Sequence, residues 1–468
     1  MQINPLIYRG YDIRGEDEKD LSPEVMKTIA RAYASYLSRR RIRHAVVGCD
    51  TRETSEIYKK AVIEGLVESG IHVIDIGVCL TQIMYWAQYH FKTNGGAMIT
   101  ASHNPRGWNG LKLAIGYSDT LVGEEVQDIR KLAEQEDFVS GKGSVTVASR
   151  DYIDAYYEDL LKRVEINKKF KVVTDTSNAT PGLFMGELLR RVGCEVIEQN
   201  VEIDPTFPNG TPDPTEKHIM ERVAKRVVAE GADIGFAYDA DGDRVGLVDE
   251  KGGFIWNDMM VALFAKDVLS RYPNAKIVYN VLCSKAVDDV IREAHGEPVR
   301  WITGHSFIKA KLSQERAPFG GELSGHFFFA DNFYPHDDGA MGTLRALEAM
   351  SNDGRPLSAI IQDFPQYISS PEIKLGVPDA TRFELVDKMK AEFIAKYSDA
   401  ERTEIDGIRL DFPDAMFVVR ASQNGGYVTV KFEARTQKRY DELKRSIREV
   451  LEKYPEVDWA HGSNTDAI

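Results

Sequence analysis

The chain has 468 residues, 43% of them apolar and 28% charged, a balance that excludes disordered and fibrous classes and allows about three domains of ordinary size. Its 59 basic and 73 acidic side chains leave a formal charge of −14, which argues against nucleic-acid partners and obliges any anionic substrate to find a locally basic pocket. No run approaches the ~20 apolar residues of a bilayer crossing, the N-terminal MQINPLIYRGYDIRG lacks a signal core or transit pattern, and Cys49, Cys79, Cys194 and Cys283 form no CxxC pair, so a cytoplasmic protein with reduced thiols and no membrane contact is expected.

In chain order, HAVVGCD (44–50) has the pattern of a buried strand. SEIYKKAVIEGLVESG (55–70) reads as a helix ending at Gly70, and HVIDIGV (72–78) and GGAMIT (95–100) as further strands. Strand, helix and strand with short links make a βαβ unit with a mostly parallel sheet. GKGSVTVAS, just before Arg150, is small and polar and suits a connector. The pattern recurs in KFKVVTD (169–175), a helix over 181–193 with Pro181 in its first turn, CEVIEQ, and 231–250. A third round runs through 275–282, 284–296, 298–304 and 318–329. The last hundred residues alternate strands with helices near 381–397 and 437–453 and predict an α+β unit with antiparallel pairing, in which NGG at 424–426 marks a hairpin. The expected domains are 1–150, 151–250, 251–366 and 367–468: three related α/β domains with mixed, mostly parallel sheets, then the α+β domain.

Three loops after apolar strands concentrate polar residues, where ligands bind in open α/β sheets. In TASHNP (100–105), Ser102 follows a buried strand and presents a hydroxyl suited to nucleophilic catalysis; a plain turn ending at Asn104-Pro105 is the alternative. In DADGDR (239–244), the alternating Asp239, Asp241 and Asp243 point to a hard cation held by oxygen. Calcium in an EF-hand is the rival, since Glu250 falls at the twelfth position, but Arg244 stands where that loop needs glycine. A Mg²⁺ site with room for a phosphate oxygen fits better. In GGELSGH (320–326), glycines permit close backbone approach, and Glu322, Ser324 and His326 suit sugar hydroxyls. Basic residues stand near likely loops: Arg9, Arg14, Lys112, Lys285, Lys309 and Arg420.

Together these segments resemble the α-D-phosphohexomutase family, in its phosphomannomutase/phosphoglucomutase branch. The match runs through YRGYDIRG (8–15), GCDTR (48–52), TASHNP, FPNGTPDP (207–214), DADGDR, TGHS (303–306), GELSGH and RAS (420–422). The resemblance implies four domains around a central active-site cleft, and a reaction that interconverts hexose 1- and 6-phosphates of mannose or glucose. It implies Ser102 as the phosphorylated serine, with Asp239, Asp241, Asp243 and the Ser102 phosphate holding Mg²⁺. It implies Arg14, Lys112, Arg244 and His305 as catalytic, and Tyr11, Lys285, Glu322, Ser324, His326, Arg420, Ser422 and Asn424 as substrate-binding. A hexose 1,6-bisphosphate would be intermediate and activator, and sugar phosphates the only partners implied. Phosphoglucosamine mutase, a phosphatase and a non-catalytic sugar-phosphate binder are the alternatives. Relatives of the first kind tend to carry Gln where Leu323 lies. The chain departs from the family's S-N-T-E-P type phosphate loop: Ser422 is followed by Gln423, Asn424, Gly425 and Gly426.

Overall fold

The structure is a computed structural model and describes residues 3–423 and 425–468. The chain folds as two compact units: one contains the residues up to Asn257 with Leu312–Gln314 and Ser324–Ile360, the other Asp258–Lys311, Glu315–Leu323 and Ile361–Ile468.

The first unit holds two sheets. In the first, the strands run in the order Ile13–Glu16, Trp108–Ile115, Gly95–Ile99, His44–Cys49, His72–Val78 and Ser144–Val147. The last four of these are mutually parallel, and the first two pair antiparallel. The helix Pro23–Arg39 starts where Ser22 accepts a hydrogen bond from the Val25 amide and proline takes the first turn, where no N–H is missed. It buries Met26, Ile29, Ala30, Tyr33 and Leu37 at helical spacing. It packs against the helix Ser55–Glu68, where a Cβ on Gly65 would come within 2.6 Å of the Lys27 carbonyl oxygen; only glycine lets the backbones approach so closely. The second sheet is ordered Phe254–Ile255, Val245–Asp249, Ile234–Tyr238, Lys171–Asp175 and Glu195–Gln199, parallel across its last three strands.

Two local expectations are corrected. The segment 141–149 is not merely a connector: Ser144–Val147 forms an edge strand parallel to His72–Val78. All four of its residues are exposed, and Val145 and Val147 alternate with Ser144 and Thr146 over only four residues, too short a run to stand out from a polar connector. The helix expected over 181–193 is divided into a 3-10 turn, Thr180–Leu183, and a helix, Met185–Arg191. Phe184 stands at the break, its ring buried and its carbonyl accepting from the Tyr157 hydroxyl at 2.9 Å.

In the second unit, Lys276–Asn280 lies parallel between Glu297–Trp301 and Phe319–Gly321. The C-terminal sheet, ordered Glu401–Thr403, Ile408–Phe412, Ala415–Ala421, Tyr427–Ala434, Ile373–Gly376 and Asp458–Ser463, is antiparallel throughout. The helices Arg382–Lys396 and Gln437–Leu451 cover it with Leu385, Met389, Phe393, Leu443 and Ile447, each worth ~1.5–3 kcal/mol on burial. Arg409, fully buried, joins this sheet to the chain around 282: it donates to the Val281 and Cys283 carbonyls at 2.8 and 2.5 Å and to both oxygens of Asp411. The expected hairpin joins Ala415–Ala421 to Tyr427–Ala434, while Asn424 itself lies outside the described residues. All four cysteines are free. No helix among the described residues is long and apolar enough to cross a membrane.

Candidate functional site

Ser102 follows the strand Gly95–Ile99 and is buried. Its backbone is left-handed, with φ +51°, a conformation that costs a non-glycine residue ~1–2 kcal/mol. Its amide donates to Thr100 Oγ1 at 2.9 Å. Its hydroxyl donates to Asp239 Oδ2 at 2.9 Å and lies 3.2 Å from His103 Nδ1. The seryl loop and the acidic loop, 137 residues apart in sequence, therefore meet inside the first unit.

The acidic loop links Ile234–Tyr238 to Val245–Asp249. Its tight turn passes through Gly242 at φ +77°, where a Cβ would sit 2.8 Å from Leu80 Cδ2. Asp239, Asp241 and Asp243 are fully buried, and one carboxylate oxygen from each lies within 4.8 Å of the others. Lys112, on the strand Trp108–Ile115, donates to Asp241 Oδ2 at 2.8 Å and to Asp243 Oδ2 at 2.5 Å. Thr81 Oγ1 adds a bond to Asp241 Oδ2 at 2.5 Å. Burial and the negative charges of Asp243 and Asp241 push the Asp239 carboxyl well above the usual carboxylate range. Burial acts the same way on Asp241, but the Lys112 ammonium outweighs it and holds that carboxyl low. Lys112 is itself raised well above its ordinary value: burial opposes its charge, and Asp241 and Asp243 more than offset that.

The trio fits a hard divalent cation. Its donors are all carboxylate oxygen, and the buried Asp241 Oδ1 and Asp243 Oδ1 accept no hydrogen bond. Three clustered carboxylates favour a compensating cation. A second group, Asp243, His326 and Asp337, has similar spacing, but its histidine is engaged otherwise. His326 Nε2 accepts from Arg244 Nε at 2.9 Å, while Nδ1 lies 2.9 Å from Asp337 Oδ2. His326, expected to meet sugar hydroxyls, thus holds the Arg244 side chain, 3.8 Å from Asp239.

Arg14, on Ile13–Glu16, is buried with Nε and Nη2 on Asp12 at 2.7 Å, and it reaches Asn104 Oδ1 at 2.6 Å and the Ala101 carbonyl at 3.3 Å. Tyr11 is buried and Ser324 half-buried in the same unit.

The second unit gathers the other candidates. Glu322 Oε1 accepts from the Gly304 amide at 2.8 Å, which ties the GGELSGH segment to TGHS, where the buried His305 begins the helix His305–Glu315. Arg420, on Ala415–Ala421, donates through Nε to Asp406 Oδ2 at 2.7 Å, and the same oxygen accepts from the Thr303 amide at 3.0 Å. Ser422 is buried, its amide bonded to the Tyr427 carbonyl at 3.0 Å. Lys285 opens the helix Lys285–Glu293, its amide donating to Glu433 Oε1 at 2.7 Å.

Sequence reasoning missed Asp337, Asp406, Thr81 and the anchoring role of Arg52. For Asp337 a signal existed: HDDG directly precedes the apolar helix Gly339–Asp353. For Asp406 only a DG turn marks the place.

Comparison with known proteins adds three family matches: phosphoglucomutase/phosphomannomutase, alpha/beta/alpha domain I, over residues 6–140, domain II over 150–253 and domain III over 256–367. The chain is 36% identical over 453 residues to a phosphomannomutase/phosphoglucomutase of Pseudomonas syringae, covering 97% of this chain and 96% of that one. It is 36% identical to the protein of the same name from Pseudomonas aeruginosa, over 95% of each chain. A crystal structure of a phosphoglucomutase/phosphomannomutase family protein from Burkholderia thailandensis superposes with a TM-score of 0.90 at 34% identity, covering 97% of this chain and 98% of that one.

Proposed function

The chain belongs to the phosphoglucomutase/phosphomannomutase family, and from that premise we propose that it is a phosphohexomutase acting through phospho-Ser102. The bond between the Ser102 oxygen and phosphorus breaks as a sugar hydroxyl oxygen takes the phosphoryl group. The hydroxyl proton passes to a base, and a hexose 1,6-bisphosphate results. That molecule turns end for end and returns its other phosphoryl group to Ser102. Phosphoryl transfer needs positioning and charge neutralisation above all.

The observation that carries the reading is the 2.9 Å contact between Ser102 and Asp239 inside a buried acidic trio. Asp239, Asp241 and Asp243 would hold Mg²⁺, with the Ser102 phosphate as a further ligand. When bound, the ion supplies positive charge to the transferring group. Arg244 and Arg14 neutralise charge beside Ser102, and Lys112, kept protonated by its carboxylate partners, does the same. His305 remains for the proton. Tyr11, Lys285, Glu322, Ser324 and Ser422 take substrate hydroxyls or phosphate, and Asn424 is assigned with them from the sequence alone, two residues after Ser422. Arg420 suits the non-reacting phosphate, because a guanidinium fork grips phosphate with two parallel bonds. The division into domains at 1–150, 151–250, 251–366 and 367–468 accompanies this assignment, and the free thiols suit a cytoplasmic setting.

The test is a coupled assay with glucose, mannose and glucosamine 1-phosphates side by side, with the matching 1,6-bisphosphate added and Mg²⁺ present or chelated. We expect turnover of the glucose or mannose compound, lost with chelator and reduced by orders of magnitude in Ser102→Ala. Near-normal turnover in that variant would reject the seryl carrier, and inorganic phosphate released as fast as isomer would make the enzyme a phosphatase.

A further inference from the structure

Arg52 lies between the strand His44–Cys49 and the helix Ser55–Glu68, and its guanidinium is spent on a loop 50 to 56 residues away. Nη2 donates to the carbonyls of Ser102 and Asn104, each at 2.6 Å. Nη1 donates to those of Pro105 and Trp108, at 3.0 and 3.1 Å. Its Nε faces Asp50 Oδ2 at 3.2 Å, and Asp50 Oδ1 accepts from the Arg52 amide and from Ser55 Oγ. The Phe207 ring lies 5.2 Å from the guanidinium carbon. Both members of the Asp50–Arg52 pair are buried.

The four acceptors begin at Ser102, the one non-glycine residue of the loop whose backbone is left-handed, and run on through the turn to Trp108. A serine does not hold φ +51° by its own preference; surrounding bonds must over-determine it. Two groups contribute such bonds. Arg14 takes the Ala101 carbonyl and Asn104 Oδ1, and Arg52 takes the carbonyls of 102, 104, 105 and 108. Only a planar fork of five donors reaches four carbonyls from one point, and a lysine ammonium does not.

We propose that Arg52 is a positioning residue for phosphoryl transfer, holding the seryl loop so that Ser102 Oγ is aimed at the acidic trio. The inference rests on the reading of Ser102 as phosphoryl carrier. Arg52 donates to main-chain carbonyls alone among the hydrogen bonds described for its guanidinium, so its contribution belongs to the transfer step rather than to sugar binding.

The test uses full-length enzyme labelled at Ser102 with glucose 1,6-bisphosphate, then mixed with glucose 1-phosphate in a single turnover. Arg52→Lys, which keeps the charge, is expected to slow transfer about a hundredfold, as for a reacting group displaced by about 1 Å, with KM for glucose 1-phosphate unchanged. Asp50→Asn, which loosens the anchor and the Asp50 contact to Thr100 at the start of the loop, is expected to show a smaller slowing of the same kind, and it serves if Arg52→Lys does not fold. Transfer at the wild-type rate in the folded variants, or a slowing that only follows the fraction of folded protein, would overturn the proposal. Ser102→Ala separates the two ideas. If it is inactive while Arg52→Lys transfers normally, only the role of Arg52 fails; if Ser102→Ala itself transfers label, the carrier reading fails first.

Discussion

The residues that organise this protein's chemistry are held mostly by partners remote in sequence. Arg420 illustrates this. Its Nε is fixed by Asp406, which also takes the Thr303 amide, so one carboxylate oxygen sets both the arginine and the start of TGHS. If Arg420 holds the non-reacting phosphate as proposed, Arg420→Ala is expected to raise KM for the sugar phosphate with little change in kcat. Steady-state kinetics check this, and an unchanged KM would take Arg420 out of the binding set. Ser102 and the three aspartates were legible in the sequence because each group breaks an apolar strand with an unusual density of polar side chains. Asp406 was not, and Arg52 was visible only as the end of GCDTR, since an acidic residue in a turn and an arginine before a helix carry no local mark of what they touch. The contacts of His326 could not be read from the sequence, because Arg244 and Asp337, which lie against its two nitrogens, come from other segments of the chain.

At the scale of elements, the helix Gly339–Asp353 shows how a cap becomes a titrating group. Asp338 accepts from the Met341 amide at 2.8 Å and from the Tyr156 hydroxyl at 2.8 Å. Burial pushes its carboxyl up to about 7, although both hydrogen bonds work in the other direction. The sign follows from a folded value raised above the unfolded one: the favourable contribution is complete below about pH 4 and is lost as pH rises through about 7. Each unit of displacement is worth ~1.4 kcal/mol. Asp338→Asn keeps an acceptor for Met341 and removes the charge. Its thermal midpoint is expected to lie above that of the wild type at pH 8 and to converge with it near pH 4, read by calorimetry across that range; parallel profiles would refute the assignment. Strand and helix order was largely readable, because β-branched runs and capped helices carry their own periods. The edge strand Ser144–Val147 escaped because its alternation spans only four residues, and the break at Phe184 because a 3-10 turn and a helix share the same short-range signals.

For the whole molecule, sequence order and spatial grouping diverge. The second unit joins residues 258–323 in part to 361–468, with Arg409 among the buried ties between the two stretches. Burial opposes the charges of Arg409 and Asp411, and their mutual attraction outweighs it, raising the arginine and lowering the carboxyl. Arg409→Leu leaves Asp411 and Asp288 to share Arg300 alone in a buried setting and is expected to cost ~3 kcal/mol, the low end of the loss typical of breaking a buried pair. Hydrogen exchange should show faster opening in peptides from 276–301 and 408–434, while peptides from 44–99 keep their protection. Uniform acceleration along the chain would mean that the tie is not local to this unit. Such grouping is hard to foresee from hydropathy, since period and composition say which face of an element is buried but not which distant element covers it.

The left-handed turn at Ser102 also narrows which amino acids can serve there. Threonine offers the same alcohol, and elsewhere the two are interchangeable as phosphate acceptors, but its branched Cβ fits poorly at φ +51°. Ser102→Thr is therefore expected to incorporate far less phosphate than the parent, measured by intact mass after exposure to bisphosphate, and equal incorporation would show that the loop can relax. The choice between two hydroxyl amino acids is made here by the main chain, not by the reactivity of the oxygen.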